Sequence, residues 1–251
     1  MGLSVRGTVA TAGGRSPVVL VHGAANSAAV WTFWQKELAR RGWSSYAVDL
    51  RGHGGSVDAD LSRTSMGNYA ADVIACAREL GRPPLLIGWS MGGLVAMMAA
   101  EAVRAQGCVG LAPSIPARST NPSVTLRTGE FGPEEYGIAD RDPNRQPTMS
   151  DLDMEERGIA LGSLGKESRF ARDERSAGIV IPKLSAPCLV VTGTADESWP
   201  QHRYADFPLE ADFLNVDGAS HWGLVLSRRA LGTLLPLVLQ WVDRVSGGED
   251  R

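Results

Sequence analysis

The chain of 251 residues is short of the features that mark several large classes of protein. It has three cysteines, Cys76, Cys108 and Cys188, an odd number set far apart within apolar patterns. That usage fits buried thiols and excludes a disulfide framework. No His/Cys cluster has zinc spacing, and the glycines at 92 and 93 precede no lysine, so neither a metal nor a nucleotide cofactor is implied. The longest apolar runs are too short to span a bilayer. Residues 1–7 have no apolar core behind a basic start, so no secretory signal is expected, and Arg6 stands where a myristoylation signal wants serine or threonine. These readings lead to an expectation of a cytoplasmic protein without a membrane anchor. A formal net charge of −3 and no dense basic run argue against nucleic acid as a partner. Histidine is scarce, at four residues.

What is present is ordinary for a globule, with 43% hydrophobic and 21% charged residues, enough for one large core. Strand-like and helix-like stretches alternate. Strands are expected over 5–11, 18–22, 45–50, 85–89 and 109–112, and helices over 31–41 and 69–80, the latter capped by Asn68 and ended by Gly81. Such alternation predicts an α/β fold with a mostly parallel sheet flanked by helices. No internal repeat is visible. Residues 115–185 break the rhythm with charge, glycine and proline, and a structureless loop of that length would be unusual in a compact domain. A small helical cap with helices over 152–164 and 166–176 is therefore expected, inserted into a core made of 1–114 and 186–251. Phe131, Tyr136, Ile159, Leu161 and Phe170 are its candidates to face a pocket.

The chemistry concentrates at Gly88-Trp89-Ser90-Met91-Gly92-Gly93. This stretch joins the apolar run Leu85-Leu86-Ile87 to an alanine-rich helix pattern. A serine caught between a buried strand and a helix, with glycine two places to either side, has the form of a nucleophile elbow. A hydroxyl needs a base, and the base needs an orienting acid. His221 lies on a loop after the strand-like 213–216, where a base facing the elbow belongs. Asp196 follows the strand-like 188–191 in the expected chain order, with Glu197 and Asp217 as fallbacks. His22 and His53 read as loop-pinning residues and His202 as a surface residue. Trp89, Trp199 and Trp222 each neighbour a member of this trio and are candidates to wall an apolar site. Trp31 and Trp34 read as a shared core stripe.

These pieces resemble the α/β-hydrolase superfamily, in particular its single-domain serine esterase, lipase and perhydrolase-like members. The residues that carry the resemblance are His22-Gly23, the stretch Asp49-Leu50-Arg51-Gly52-His53-Gly54-Gly55-Ser56, the elbow around Ser90, Gly193 with Asp196, and His221. The likeness implies that the backbone amides of Ala24 and Met91 form an oxyanion hole, with Ala25 the alternative donor. It also implies hydrolysis of a small ester-like molecule, a carboxylic ester first and a lactone or thioester next. C–C bond hydrolysis, peracid formation and a pocket that binds without turnover are the rival uses of the same architecture.

Overall fold

The computed structural model describes residues 2–11, 14–56 and 59–246. Seven strands form one sheet in the order β1-β3-β2-β4-β5-β8-β9. These are β1 (Val5–Thr8), β2 (Val18–Val21), β3 (Ser45–Val48), β4 (Leu85–Trp89), β5 (Gly107–Leu111), β8 (Cys188–Gly193) and β9 (Asp212–Val216). Only β1 is antiparallel, against β3, and the other pairings are parallel. A second ladder of two short strands, β6 (Glu130–Phe131) and β7 (Glu167–Ser168), lies between β5 and β8 in the chain.

The parallel strands are runs of apolar residues because both faces of the sheet are covered. Alternate residues enter two separate cores. Val18, Leu20, Leu85, Ile87, Val109, Leu111, Leu189 and Val191 face one. That core is closed by α1 (Thr32–Arg40), α6 (Gly223–Leu226) and α7 (Arg228–Ser246). Val19, Val21, Leu86, Cys108, Cys188 and Val190 face the other, under α2 (Met66–Glu79) and α3 (Met91–Val103). Trp31 and Trp34 are fully buried in the first core with ring centroids 5.7 Å apart, as their spacing suggests. All three cysteines are buried and free, and burial pushes the thiol of Cys76 up to about 11 and that of Cys188 to about 12. Among the described residues, no helix is long and apolar enough to cross a membrane.

The structure shifts several boundaries read from sequence. Helix α2 starts at Met66, and its N-cap is Ser65, not Asn68. Asn68 is instead the third helical residue and closes a capping box, its side chain accepting from the Ser65 amide. Two polar residues three apart can both read as caps, and here the earlier one wins because the reciprocal pair satisfies two orphan amides. The first strand ends at Thr8, three residues short of expectation. In 115–185 the helices are α4 (Met154–Gly162) and α5 (Arg169–Ala177), preceded by three short 3-10 turns and separated by β7.

The crossing of β4 into α3 is packed backbone against backbone. A Cβ on Gly92 would lie 2.3 Å from the carbonyl oxygens of Val21 and His22, and one on Gly88 would lie 2.1 Å from the carbonyl oxygen of Gly92. Backbone cannot retreat from such contacts as a flexible side chain can. Gly92→Ala is accordingly expected to cost on the order of 1 to 3 kcal/mol. That should lower the melting temperature by about 2 to 4 °C per kcal/mol, and calorimetry showing an unchanged transition would contradict this packing.

Candidate active site

Ser90 is the first residue beyond β4 and sits at φ 55°, ψ −121°, in a region that side-chain-bearing residues rarely occupy. Its backbone is held on both sides. The Ser90 amide donates to the Leu111 carbonyl (2.9 Å), and its own carbonyl accepts from the amides of Gly93 and Ser114 (3.0 Å each). Helix α3 starts immediately afterwards, at Met91, so its unpaired N-terminal amides lie next to the serine.

Asp196 and His221 come from loops beyond the C-terminal ends of β8 and β9, the same sheet edge as Ser90. They meet: His221 Nδ1 is 2.7 Å from Asp196 Oδ2. The other carboxylate oxygen accepts from the amides of Ser198 (2.9 Å) and Trp199 (2.8 Å). Burial pushes the Asp196 carboxyl up. The hydrogen bond and charge of His221 and the two amides outweigh burial and hold it below the ordinary carboxylate value. An ionised Asp196 can only accept, so the proton between them sits on His221 Nδ1, and the neutral tautomer that this contact selects has its lone pair at Nε2. Ser90 and His221 line one cavity of about 190 Å³.

Glu197 and Asp217 do not take this position. Asp217 instead accepts from the Thr194 hydroxyl. His22 and His53 are buried away from it. His22 Nε2 accepts from the Leu50 amide (3.1 Å), and Nδ1 donates to the Gly23 carbonyl (2.8 Å), so the ring ties the loop after β2 to the loop after β3. Burial, with His53 nearby, pushes its pKa down to about 4 and keeps it neutral. His202 lies exposed on a short turn.

Trp89, Trp199 and Trp222 all line the cavity. Trp89 has a second task, donating from Nε1 to the His221 carbonyl (2.9 Å) while its ring packs 4.8 Å from that of Trp222. Ala24 and Ala25 line the cavity as well. The Ala25 amide, the alternative donor, is already engaged with Glu167 Oε2 at 3.0 Å. The Ala24 amide is the loop's remaining candidate beside Met91. Of the five apolar candidates from 115–185, Tyr136 reaches the cavity. Phe131 instead lies beneath the guanidinium groups of Arg169 and Arg172, and Leu161 joins the core.

Sequence reasoning missed two residues that hold this framework and one that faces the cavity. Glu167 is fully buried and accepts from the Ala25 amide, the Tyr69 hydroxyl (2.6 Å) and the Ser168 amide (2.7 Å), with His53 Nε2 3.5 Å away. Burial raises its carboxyl, but the charge and hydrogen bond of His53, the charge of Arg175 and the Tyr69 hydroxyl together outweigh this and bring the pKa to about 2. Asp151 accepts from the Ser220 amide (3.0 Å), anchoring the turn that carries His221. Arg175 lines the cavity from α5. Isolated charges in a polar stretch carry no periodic signal, and only the fold reveals where they sit.

Residues 18–231 match the model of the alpha/beta hydrolase family. Among curated proteins, the chain is similar to protein phosphatase methylesterase 1 of Mus musculus, at 36% identity over 105 residues, 39% of this chain and 27% of that one. It is also similar to the pimeloyl-[acyl-carrier protein] methyl ester esterase of Aliivibrio salmonicida, at 37% identity over 90 residues, 36% of this chain and 32% of that one. The matches thus span about a third or less of those relatives' own length. Among solved structures, a methylesterase from Arabidopsis superposes with a TM-score of 0.71 at 18% identity, covering 90% of this chain and 100% of that one. A thermophilic esterase from Thermogutta terrifontis gives 0.66 at 22% identity, covering 96% and 93%. These likenesses place the α/β-hydrolase fold.

Glu167 ties stability to pH in a definite direction. Its folded pKa of about 2 lies below the ordinary 4.5, so its contribution is complete above about 4.5 and is lost as pH falls through about 2. Glu167→Gln is expected to cost on the order of 3 kcal/mol at neutral pH and to flatten the decline of stability on the acid side. Denaturant titrations of both proteins across that range check this, and parallel acid slopes would contradict it.

Proposed function

The chain belongs to the alpha/beta hydrolase family, and from that premise we propose that it is a serine hydrolase cleaving a small carboxylic ester through an acyl-enzyme intermediate. The observation that carries the reading is the 2.7 Å His221–Asp196 hydrogen bond at the wall of the cavity that Ser90 also lines. In the proposed sequence, Ser90 Oγ attacks the ester carbonyl carbon while His221 Nε2 takes the hydroxyl proton. The carbonyl oxygen becomes an oxyanion held by the amides of Ala24 and Met91, each worth about 2.7 to 4 kcal/mol if aligned. Collapse breaks the C–O bond to the alcohol, which leaves with the proton from His221. Water then repeats the steps, releasing the acid and restoring Ser90. Asp196 keeps Nδ1 protonated and stabilises the imidazolium.

Two features narrow the substrate. A cavity of about 190 Å³ lies below the roughly 300 to 1,000 Å³ of most small-molecule sites, which favours a short ester. Both curated relatives are named for methyl esters, so methyl esters are the first class to test. Residues 115–185 act in this reading as a cap over the nucleophile, since Pro133, Tyr136, Ile138, Thr148 and Leu164 contribute to the cavity wall.

With a short-chain methyl or p-nitrophenyl ester, Ser90→Ala is expected to lower kcat by at least about a thousandfold while leaving the melting temperature near that of the parent. Asp196→Asn, which favours the wrong tautomer of His221, should lower it on the order of ten-thousandfold. Steady-state kinetics on folded variants check both, with a fluorophosphonate probe expected to label the parent and not Ser90→Ala. Full activity in Ser90→Ala would overturn the assignment.

A further inference from the structure

Among the described residues, the cavity beside Ser90 is lined by one permanently charged side chain, that of Arg175 from α5, and by no carboxylate. The guanidinium is only partly matched by the protein: the Glu167 carboxylate acts on it through space without pairing with it. It makes one hydrogen bond among the described residues, from Nη2 to the Tyr136 hydroxyl at 3.0 Å. Its Nε is buried without any partner, and among the described residues no carboxylate oxygen lies within 4 Å. The neighbouring arginines of the same helix differ. Arg169 and Arg172 both pair with Glu135 on the outer side.

An arginine has five donors in a planar fork, and burying such a donor without an acceptor, as at Nε here, is costly. A fold that retains such a group at the wall of its reaction cavity gains when a ligand supplies the missing acceptors. Tyr136 adds to the same locus. Its hydroxyl oxygen already accepts from Arg175, so its proton is free to donate to a second acceptor in the cavity, which Tyr136 also lines. A planar carboxylate matches the arginine fork with two parallel hydrogen bonds. It is also the smallest organic anion that does so within about 190 Å³.

Resting on the esterase reading above, we propose that Arg175, with the Tyr136 hydroxyl, is the receptor for a free carboxylate on the substrate. The favoured substrates are then half-esters of short dicarboxylic acids, with one end esterified at Ser90 and the other ionised at Arg175. Neutral esters of equal length enter the same cavity but leave the guanidinium unpaired. The charge on the substrate thereby becomes the specificity element. Hydrolysis releases a dicarboxylate whose second negative charge forms at the catalytic end, away from Arg175.

The test compares monomethyl glutarate with methyl pentanoate, a neutral ester of similar length, on the parent protein, Arg175→Met and Arg175→Lys. The parent is expected to favour the half-ester in kcat/KM. Arg175→Met should cut the half-ester's kcat/KM about 10- to 100-fold more than that of the neutral ester. The loss is expected chiefly in KM, and Arg175→Lys should recover part of it. Equal losses on both esters, or an unchanged preference, would overturn the proposal. Calorimetric binding of monomethyl glutarate to Ser90→Ala, with and without Arg175→Met, separates this from the esterase reading. Arg175-dependent binding without turnover in the parent would retain the carboxylate receptor and refute the esterase. Binding indifferent to Arg175, or none, would refute the receptor whatever the turnover.

Discussion

One backbone constraint governs the arrangement: Ser90 is held at positive φ where β4 turns into α3. A non-glycine residue there costs on the order of 1 to 3 kcal/mol and persists only where its surroundings over-determine it. Here they do. Bonds from Leu111, Gly93 and Ser114 fix the Ser90 peptide, and the carbonyls of Val21 and His22 press against Gly92 from the neighbouring strand. The strain is met by a sheet buried on both faces, whose two cores leave the crossing no room to relax. Its product is a hydroxyl at the sheet edge with a helix N-terminus beside it.

The remaining groups reach Ser90 because parallel strands end at a common edge. Loops after β2, β4, β8 and β9 supply Ala24, Ser90, Asp196 and His221 in turn. Loops need holding, and the segment between β5 and β8 does much of that. Glu167 and Gly165 bind the amide and carbonyl of Ala25, the Ser163 hydroxyl donates to Asn26, and Asp151 binds the Ser220 amide. The segment that frames the cavity is thus hydrogen-bonded to the loop of the proposed oxyanion donors and to the loop of the proposed base. In this account substrate selection and catalytic geometry share one set of supports, so variation in the segment changes both.

The sheet and the elbow were legible in the sequence for a physical reason. Strands buried on both faces are unbroken apolar runs, and glycines at 88 and 92 are forced by backbone contacts that leave no alternative residue. The Asp196–His221 encounter followed from chain order and loop position, although only the structure gives its distance. Less was readable where few residues make an element. Strands β6 and β7 are two residues each, too short for any period to show. The start of α2 reads three residues late in the sequence because Ser65 and Asn68 share one capping box. Glu167 and Arg175 were invisible as site residues, since a charged side chain in a polar stretch is ordinarily solvated and nothing local marks the first as buried or the second as facing a cavity.

The central claim is that Ser90 forms a covalent acyl intermediate under the control of the Asp196–His221 pair. Rapid quenching of the protein during turnover of a short p-nitrophenyl ester, followed by intact-mass and peptide mass spectrometry, observes that species directly. The account predicts an adduct of the acyl mass on the peptide containing Ser90, formed in the parent and absent in His221→Ala. Turnover with no adduct at Ser90, or an adduct that forms equally well without His221, would contradict it.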